Sequence, residues 1–272
     1  MKLSDVRLLV KDFDKCLEFY TEKLGLERIY NTSDYEAFKV SDSVELAIFV
    51  SDYQAMAVGN ANKSQPTADY REKSEIAFSV ACVDTAYKAL KTKGVEFINE
   101  PFDWEDAGIR CVHFRDPEGY LLSLVDGGKD STIRFEVINL FVNDFQKCFK
   151  FYAEKLGLEI DWNDDKSYAN FKVADGITGL SLFLSDANAK TIGNADKKLP
   201  TGTDFREKSM ISFNVECVDT VYKALKVKDV EFINEPFDWK DAYMRAVHLR
   251  DPEGNLIEIH AALACGEGCD CC

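Results

Sequence analysis

The sequence predicts an α+β protein built from four strand–helix–strand–strand–strand modules, arranged as two pairs. Three observations carry this reading. Residues 95–104 and 230–239 spell the same string, VEFINEPFDW. Each copy then runs through an Arg, a His and a tight turn: Arg110, His113 and DPEG at 116–119, then Arg245, His248 and DPEG at 251–254. Within each copy the patterning for one strand, one helix and three strands occurs twice. Ten identical residues followed by a shared pattern mark an internal duplication, which divides the chain into repeats at 1–127 and 133–262 and a Cys-rich tail at 263–272.

The elements follow from local chemistry. DVRLLV at 5–10 alternates loosely enough for a partly buried strand. Asp12 suits a helix N-cap, and Phe13, Cys16, Leu17, Tyr20 and Leu24 recur at helical spacing up to Gly25, a plausible stop. Strands are expected near 27–30, at 36–41 and at 44–50. Residues 53–74 are polar and broken by Gly59 and Pro66, which marks a connection. The order then restarts: strand 75–82, a helix capped by Asp84 and ended by Gly94, then strands from VEFINEP, IRCVHF and YLLSLV, the last two joined by DPEG. Pro second and Gly fourth fit a type I turn. After GGKDST at 127–132, Asp144, Cys148, Tyr152 and Gly157 repeat Asp12, Cys16, Tyr20 and Gly25.

The chain has 272 residues, enough for two units that each bury a core. With 48 acidic against 33 basic residues it carries −15, which repels phosphate backbones and anionic lipid. Neither nucleic acid nor a membrane is therefore an expected partner, and no apolar run is long enough to span a bilayer. The start, MKLSDVRLLVKDF, lacks the features of a secretory signal. Nine cysteines, five of them scattered through ordinary strand and helix patterns, fit reduced thiols in a cytoplasmic protein.

DFDKCLEFYTEKLGLE and DFQKCFKFYAEKLGLE, with VDTAYKALKTKGVEFINEP, VDTVYKALKVKDVEFINEP and the two DPEG turns, resemble the vicinal oxygen chelate superfamily. Its members include glyoxalase I, bleomycin-resistance proteins and extradiol dioxygenases. The resemblance covers about residues 3–126 and 133–261. It implies two glyoxalase-like domains whose mixed sheets curl into cups with helices outside. It also implies that a metal, where one is used, is held by strand residues facing the cup. Those positions here are Asp5 and Val137 on the first strands, Glu75 and Met210 on the fifth, and Ser123 and Glu258 on the eighth.

Only three histidines are present, none at such a position, so an extradiol dioxygenase is disfavoured. If the first and fourth modules share a cup, Asp5, Glu258 and His260 converge beside Met210 and offer a divalent-ion site, with Glu258 as catalytic base of a glyoxalase-type lyase or isomerase. Pairing within a repeat is the alternative. Strand alternation places Arg7 beside Asp5, and Ala77 and Ser79 after Glu75. In the second repeat it groups Val137, Asn139, Phe141, Met210, Ser212 and Asn214 as an apolar cup with polar anchors, which is how small-molecule sites look.

Trp104 and Trp239, near Glu105, Asp106 and Asp241, are candidates for stacking on a planar ligand, although retention in both copies favours a structural role. His113, His248, Arg110, Arg245 and the doubled REKS (71–74, 206–209) read as structural for the same reason. In the tail, Cys265, Cys269, Cys271 and Cys272 form a possible soft-metal site without a framework to preorganise it. The leading expectation is a small-molecule-binding protein with a degenerate metal site and no obligatory cofactor. The rivals are the metal-dependent lyase or isomerase and a non-catalytic scaffold.

Overall fold

A computed structural model describes residues 1–40, 44–65, 70–105, 108–130, 132–174, 177–198 and 205–263. The first module comprises β1 (Lys2–Val10), α1 (Phe13–Glu18), β2 (Glu27–Asn31), β3 (Tyr35–Lys39) and β4 (Glu45–Val50), followed by α2 (Ser51–Ala57). The second has β5 (Ser74–Val80), α3 (Val83–Thr92), β6 (Phe102–Trp104), β7 (Ile109–Arg115) and β8 (Leu121–Asp126). The second repeat supplies β9 (Arg134–Val142), α4 (Phe145–Lys150), β10 (Glu159–Asn163), β11 (Tyr168–Ala174), β12 (Ile177–Leu184) and α5 (Ser185–Thr191). It closes with β13 (Ser209–Asn214), α6 (Val218–Val227), β14 (Phe237–Trp239), β15 (Met244–Arg250) and β16 (Leu256–Ala262).

These strands form two eight-stranded mixed sheets, and neither follows the repeat boundary. One has the order β14-β15-β16-β13-β1-β4-β3-β2, the other β10-β11-β12-β9-β5-β8-β7-β6. The first module thus pairs with the fourth through antiparallel β1 and β13, and the second with the third through antiparallel β5 and β9. At these seams Arg7 faces Met210, and Glu75 faces Asn139. The question the sequence left open, pairing within or across the repeats, is answered across.

Helices tie each repeat together where the sheets do not. Asp12 caps α1 by accepting from the Lys15 N–H at 3.2 Å, and Asp144 caps α4 from Lys147 at 3.0 Å. Each helix continues as one wide turn (Phe19–Lys23, Phe151–Lys155) and ends at a glycine with φ near +74°, Gly25 or Gly157. In that turn, buried Tyr20 donates to Asp116 of the first DPEG turn at 3.0 Å. Tyr152 repeats the bond to Asp251 at 2.9 Å. Glu118 and Glu253 then accept from the backbone N–H groups that begin α1 and α4. Each turn of one module is therefore bolted to the helix of its neighbour. One continuous apolar core runs through all four modules.

Two local expectations are corrected. Asp84 does not cap α3: Cys82 is its N-cap residue, and Asp126 accepts from the Val83 N–H instead. Asp84 is occupied by Arg110 at 2.6 Å, as Asp219 is by Arg245. The strand expected over VEFINEP begins only at Phe102. Asn99 caps the His113 N–H with its side-chain oxygen, and Pro101 has no N–H to give, so the ladder breaks there. Among the described residues, no helix is long and apolar enough to cross a membrane.

Candidate functional site

The two sheets carry equivalent positions with different contents. In the β1–β13 sheet the concave face is filled by an ionic network. Arg7 Nε donates to Asp5 Oδ1 at 3.1 Å, and its terminal nitrogen reaches Glu258 Oε1 at 3.3 Å. Glu258 is fully buried and also accepts from the Ser212 hydroxyl at 3.1 Å. The guanidinium lies over Tyr35 and Phe49, 5.4 and 5.8 Å from the ring centroids, and Trp239 meets Phe49 edge-on at 6.2 Å.

His248 completes the network, and its tautomer follows from Asn234. The Asn234 oxygen accepts from the His248 backbone N–H at 2.9 Å, which turns its amide NH2 to Nδ1 at 2.9 Å. Nδ1 is thus the acceptor, and Nε2 carries the proton that meets Glu258 Oε2 at 3.2 Å. The Gln54 amide lies 3.0 Å from the same Nε2. Burial by itself would raise the Glu258 pKa, but Arg7, aided by His248, holds the carboxyl well below the usual range. Burial opposes the charge on Arg7 as well, and Asp5 and Glu258 more than restore it.

In the β5–β9 sheet the same face is open. A cavity of about 730 Å³ is lined by Glu75, Asn139, His113 and Ser123 at its base. Tyr168, Asn170 and Phe183 form one side, with Trp104 and Trp162 nearer the rim. Asn139 stands where the other sheet has Arg7, and Ser123 where it has Glu258. Ser181 donates to the Asn139 oxygen. His113 is fixed like His248: Asn99 accepts from its backbone N–H and offers its amide to Nδ1 at 3.0 Å. Its Nε2 lies 3.9 Å from Glu75 Oε1. Burial, with a smaller push from Arg115, lowers the His113 pKa to about 4. At neutral pH the ring is uncharged, so its approach to Glu75 is not an ion pair. The Asn170 side-chain oxygen is buried and without a partner.

The fold brings together some of the residues singled out from sequence and separates others. Asp5, Arg7 and Glu258 share one network, as pairing of the outer modules requires. His260 joins it through Ser4, whose hydroxyl lies 2.9 Å from His260 Nε2 and 3.1 Å from Asp5 Oδ2. The apolar cup expected from the second repeat does not exist as a unit. Val137 and Asn139 line the open cavity, whereas Met210 and Ser212 lie in the other sheet. The strands that carry them pair with opposite partners.

Phe141 is buried behind Phe183 at 6.3 Å, Met210 packs on Val58 and Leu256, and Asn214 is exposed at the strand end opposite Lys2. Trp104 lines the cavity and meets Phe183 at 5.6 Å. Asp106 and the four tail cysteines, Cys265, Cys269, Cys271 and Cys272, lie outside the described residues. Sequence reading missed His113, Tyr168, Asn170 and Phe183 as cavity residues. The doubled His was visible but was read as structural because both copies keep it.

A divalent ion does not fit the Asp5–Glu258 pair as it stands, because a guanidinium already bridges the two carboxylates. In the open cup the His113 ring nearest Glu75 is neutral, and its lone pair is turned to Asn99. Among the described residues, no three His, Cys, Asp or Glu side chains are grouped to hold a metal.

Paired βαβββ modules with cups on the concave faces of two mixed sheets define the scaffold, here with one cup filled and one open. The chain belongs to the Glyoxalase/Bleomycin resistance protein/Dioxygenase superfamily, whose model matches residues 2–124 and 134–259. It is 39% identical over 127 residues to the uncharacterized protein YraH of Bacillus subtilis, spanning 46% of this chain and 96% of that one. It is 25% identical over 208 residues to a lactoylglutathione lyase of Arabidopsis thaliana, over 72% of this chain and 71% of the relative. The fold also matches the crystal structure of glyoxalase I from Zea mays, with a TM-score of 0.66 at 17% identity, covering 96% and 92% of the two chains.

Proposed function

We propose that the protein binds a small molecule in the open cup of the β5–β9 sheet, and that the cup of the β1–β13 sheet serves as structure. The observation that carries this reading is the pairing of a 730 Å³ cavity with a buried carboxylate at its base. Such a volume lies within the range of drug-sized ligand sites, about 300–1,000 Å³. Glu75 and the Asn170 oxygen both accept hydrogen bonds, so the ligand they suit is a donor: an amine or a hydroxylated group. Trp104, Phe183 and Tyr168 offer ring faces to a planar body. A scaffold with no ligand, by contrast, expects both cups to be closed.

The test is calorimetric titration and thermal shift with benzylamine, catechol and toluene. The amine or the diol should saturate and raise the melting temperature, since a ligand of the native state stabilises it. Glu75→Gln should weaken amine binding at least about tenfold, the scale of a lost charge-assisted hydrogen bond, roughly 1.5–3 kcal/mol. Trp104→Ala should weaken every aromatic probe. No saturable binding by any of the three, or binding indifferent to both substitutions, rejects the reading.

A second reading, a divalent-metal-dependent lyase or isomerase, is favoured by the names of the plant relative and of a fission-yeast lactoylglutathione lyase 26% identical over 185 residues. Against it stands the guanidinium between Asp5 and Glu258, and a Glu258 proton affinity too low for an efficient base. Metal analysis decides between the two. One equivalent of metal that persists in protein lacking the last ten residues and is lost in Glu258→Ala would establish a cup metal and sink the metal-free reading.

A further inference from the structure

Where the repeats cross, REKS at 71–74 meets REKS at 206–209 around a second cavity of about 470 Å³, on neither concave face. Described residues of the connections after α2 and α5 bond to one another beside it. Arg71 N–H donates to the Lys198 carbonyl, and Arg206 N–H to the Ser64 carbonyl, both at 2.9 Å. At the cavity the Ser74 and Ser209 hydroxyls lie 3.3 Å apart, with the Tyr120 hydroxyl donating to Ser74 at 2.8 Å. Tyr70 and Phe205 meet edge to face at 4.8 Å in the same lining.

The charge of this lining is opposite to that of the chain. Six Lys or Arg side chains line it against three Glu, in a protein of net charge −15. All three carboxylates are already engaged, Glu72 by a cation of the lining itself. Glu72 is held by Arg115 and the Asn194 amide, and Glu207 by Arg250 and the Asn60 amide. Glu118 accepts from the Lys11 and Asp12 N–H groups.

Among the cations, Arg71 pairs with Asp186, Arg206 with Asp52 and Arg115 with Glu72, whereas the hydrogen bonds of Lys73 and Lys208 run to backbone carbonyls. Lys73 Nζ donates to the Glu253 carbonyl at 2.7 Å, and Lys208 Nζ to the Glu118 carbonyl at a long 3.5 Å. Burial lowers the pKa of both ammonium groups. The Nε donors of Arg71 and Arg206 are buried with no partner at all. Orphaned buried donors are uncommon in native structures, and an anion within reach would satisfy them.

We propose that this inter-repeat cavity binds a small aromatic anion, a ring bearing a phosphate or carboxylate, with Lys73 and Lys208 as its charge partners and Tyr70 and Phe205 beside its ring. The pair of lysines comes one from each repeat, so the site exists only because the duplicated chain folds with its modules crossed. Occupancy bridges a lysine of each repeat, and so stabilises the assembled pair of sheets.

Titration of the full chain with phenyl phosphate, benzoate, inorganic phosphate and phenol tests this. Phenyl phosphate or benzoate should bind saturably and raise the melting temperature, and the stronger of the two identifies the anionic group. Lys73→Met and Lys208→Met should each weaken binding at least tenfold. Hydrogen exchange on the unmodified protein gives an answer that does not depend on the variants folding: phenyl phosphate should protect 70–74 and 205–209. No saturable binding by either aryl anion overturns the proposal. So does equal affinity for inorganic phosphate, binding that survives both Lys substitutions, or protection confined to the β5–β9 cup.

Discussion

The two cups are built on the same strands in the same register, yet one is solid and the other hollow. The difference comes down to a few positions. In the β1–β13 sheet the seam pair is Arg7 and Met210; in the β5–β9 sheet it is Asn139 and Glu75. The eighth-strand position is Glu258 in the first and Ser123 in the second. A long guanidinium between two carboxylates fills the first cup and settles its own charge. Short side chains in the second leave space, with the Glu75 carboxylate and the neutral His113 ring at the bottom of it. A duplicated scaffold thus carries two cups of different content: one face holds an ionic network, the other is open.

The sharpest way to break this contrast is Arg7→Met. Removing one member of a buried charge cluster strands the others, at a cost of about 3–5 kcal/mol. Urea denaturation at pH 7 should show that loss. The deficit should shrink toward acid pH. In the native protein Glu258 has a lowered pKa, so its contribution is present above the unfolded value and lost as pH falls through the folded one. Without Arg7, burial dominates, and the carboxyl can escape its cost by protonating. A loss below about 1 kcal/mol would mean that the network is not what holds this cup.

The open cup predicts a different pH response. His113 is uncharged in the fold with a pKa of about 4, below the value near 6.5 expected for an unfolded His. The unfolded chain therefore binds more protons between those values. The stabilising contribution is complete above about pH 6.5 and declines as pH falls through 4, by up to roughly 3 kcal/mol. NMR titration should place the His113 ring near 4. His113→Gln should flatten this part of the stability curve, whatever constant loss it brings. A ring titrating at 6 or higher would show that Glu75 governs it rather than burial.

Tyr20→Phe and Tyr152→Phe are the control, because here the repeats remain alike. Each deletes one buried hydroxyl bonded to a turn carboxylate, so each should cost about 1.5–3 kcal/mol. The two costs should agree closely. A clear difference between them would extend the asymmetry of the cups into the shared skeleton.

Much of this skeleton was legible along the chain. Asp12 with Gly25, and Asp144 with Gly157, announce two helices by short-range rules, and the doubled DPEG turns and alternating strands announce the modules. Local chemistry suffices there because a cap or a turn is satisfied within a few residues. It already misled at Asp84, where a distant Arg110 took the carboxylate and Asp126 took the helix N–H.

The contents of the cups were beyond such rules. Sequence alternation correctly put Asp5 and Arg7 on one face, but it also put Asn139 and Met210 in one pocket, whereas they lie in different sheets. Strand pairing is a contact between segments far apart in the chain, and identical modules offer near-identical edges for it. Nothing local distinguishes pairing within a repeat from pairing across. Composition and periodicity were enough to establish the four modules and their duplication, and the doubled motif strings carried the resemblance to the family. The crossed pairing of modules, which joins Arg7 to Glu258, leaves Glu75 at the base of a cavity and brings Lys73 and Lys208 around a second, is a product of packing.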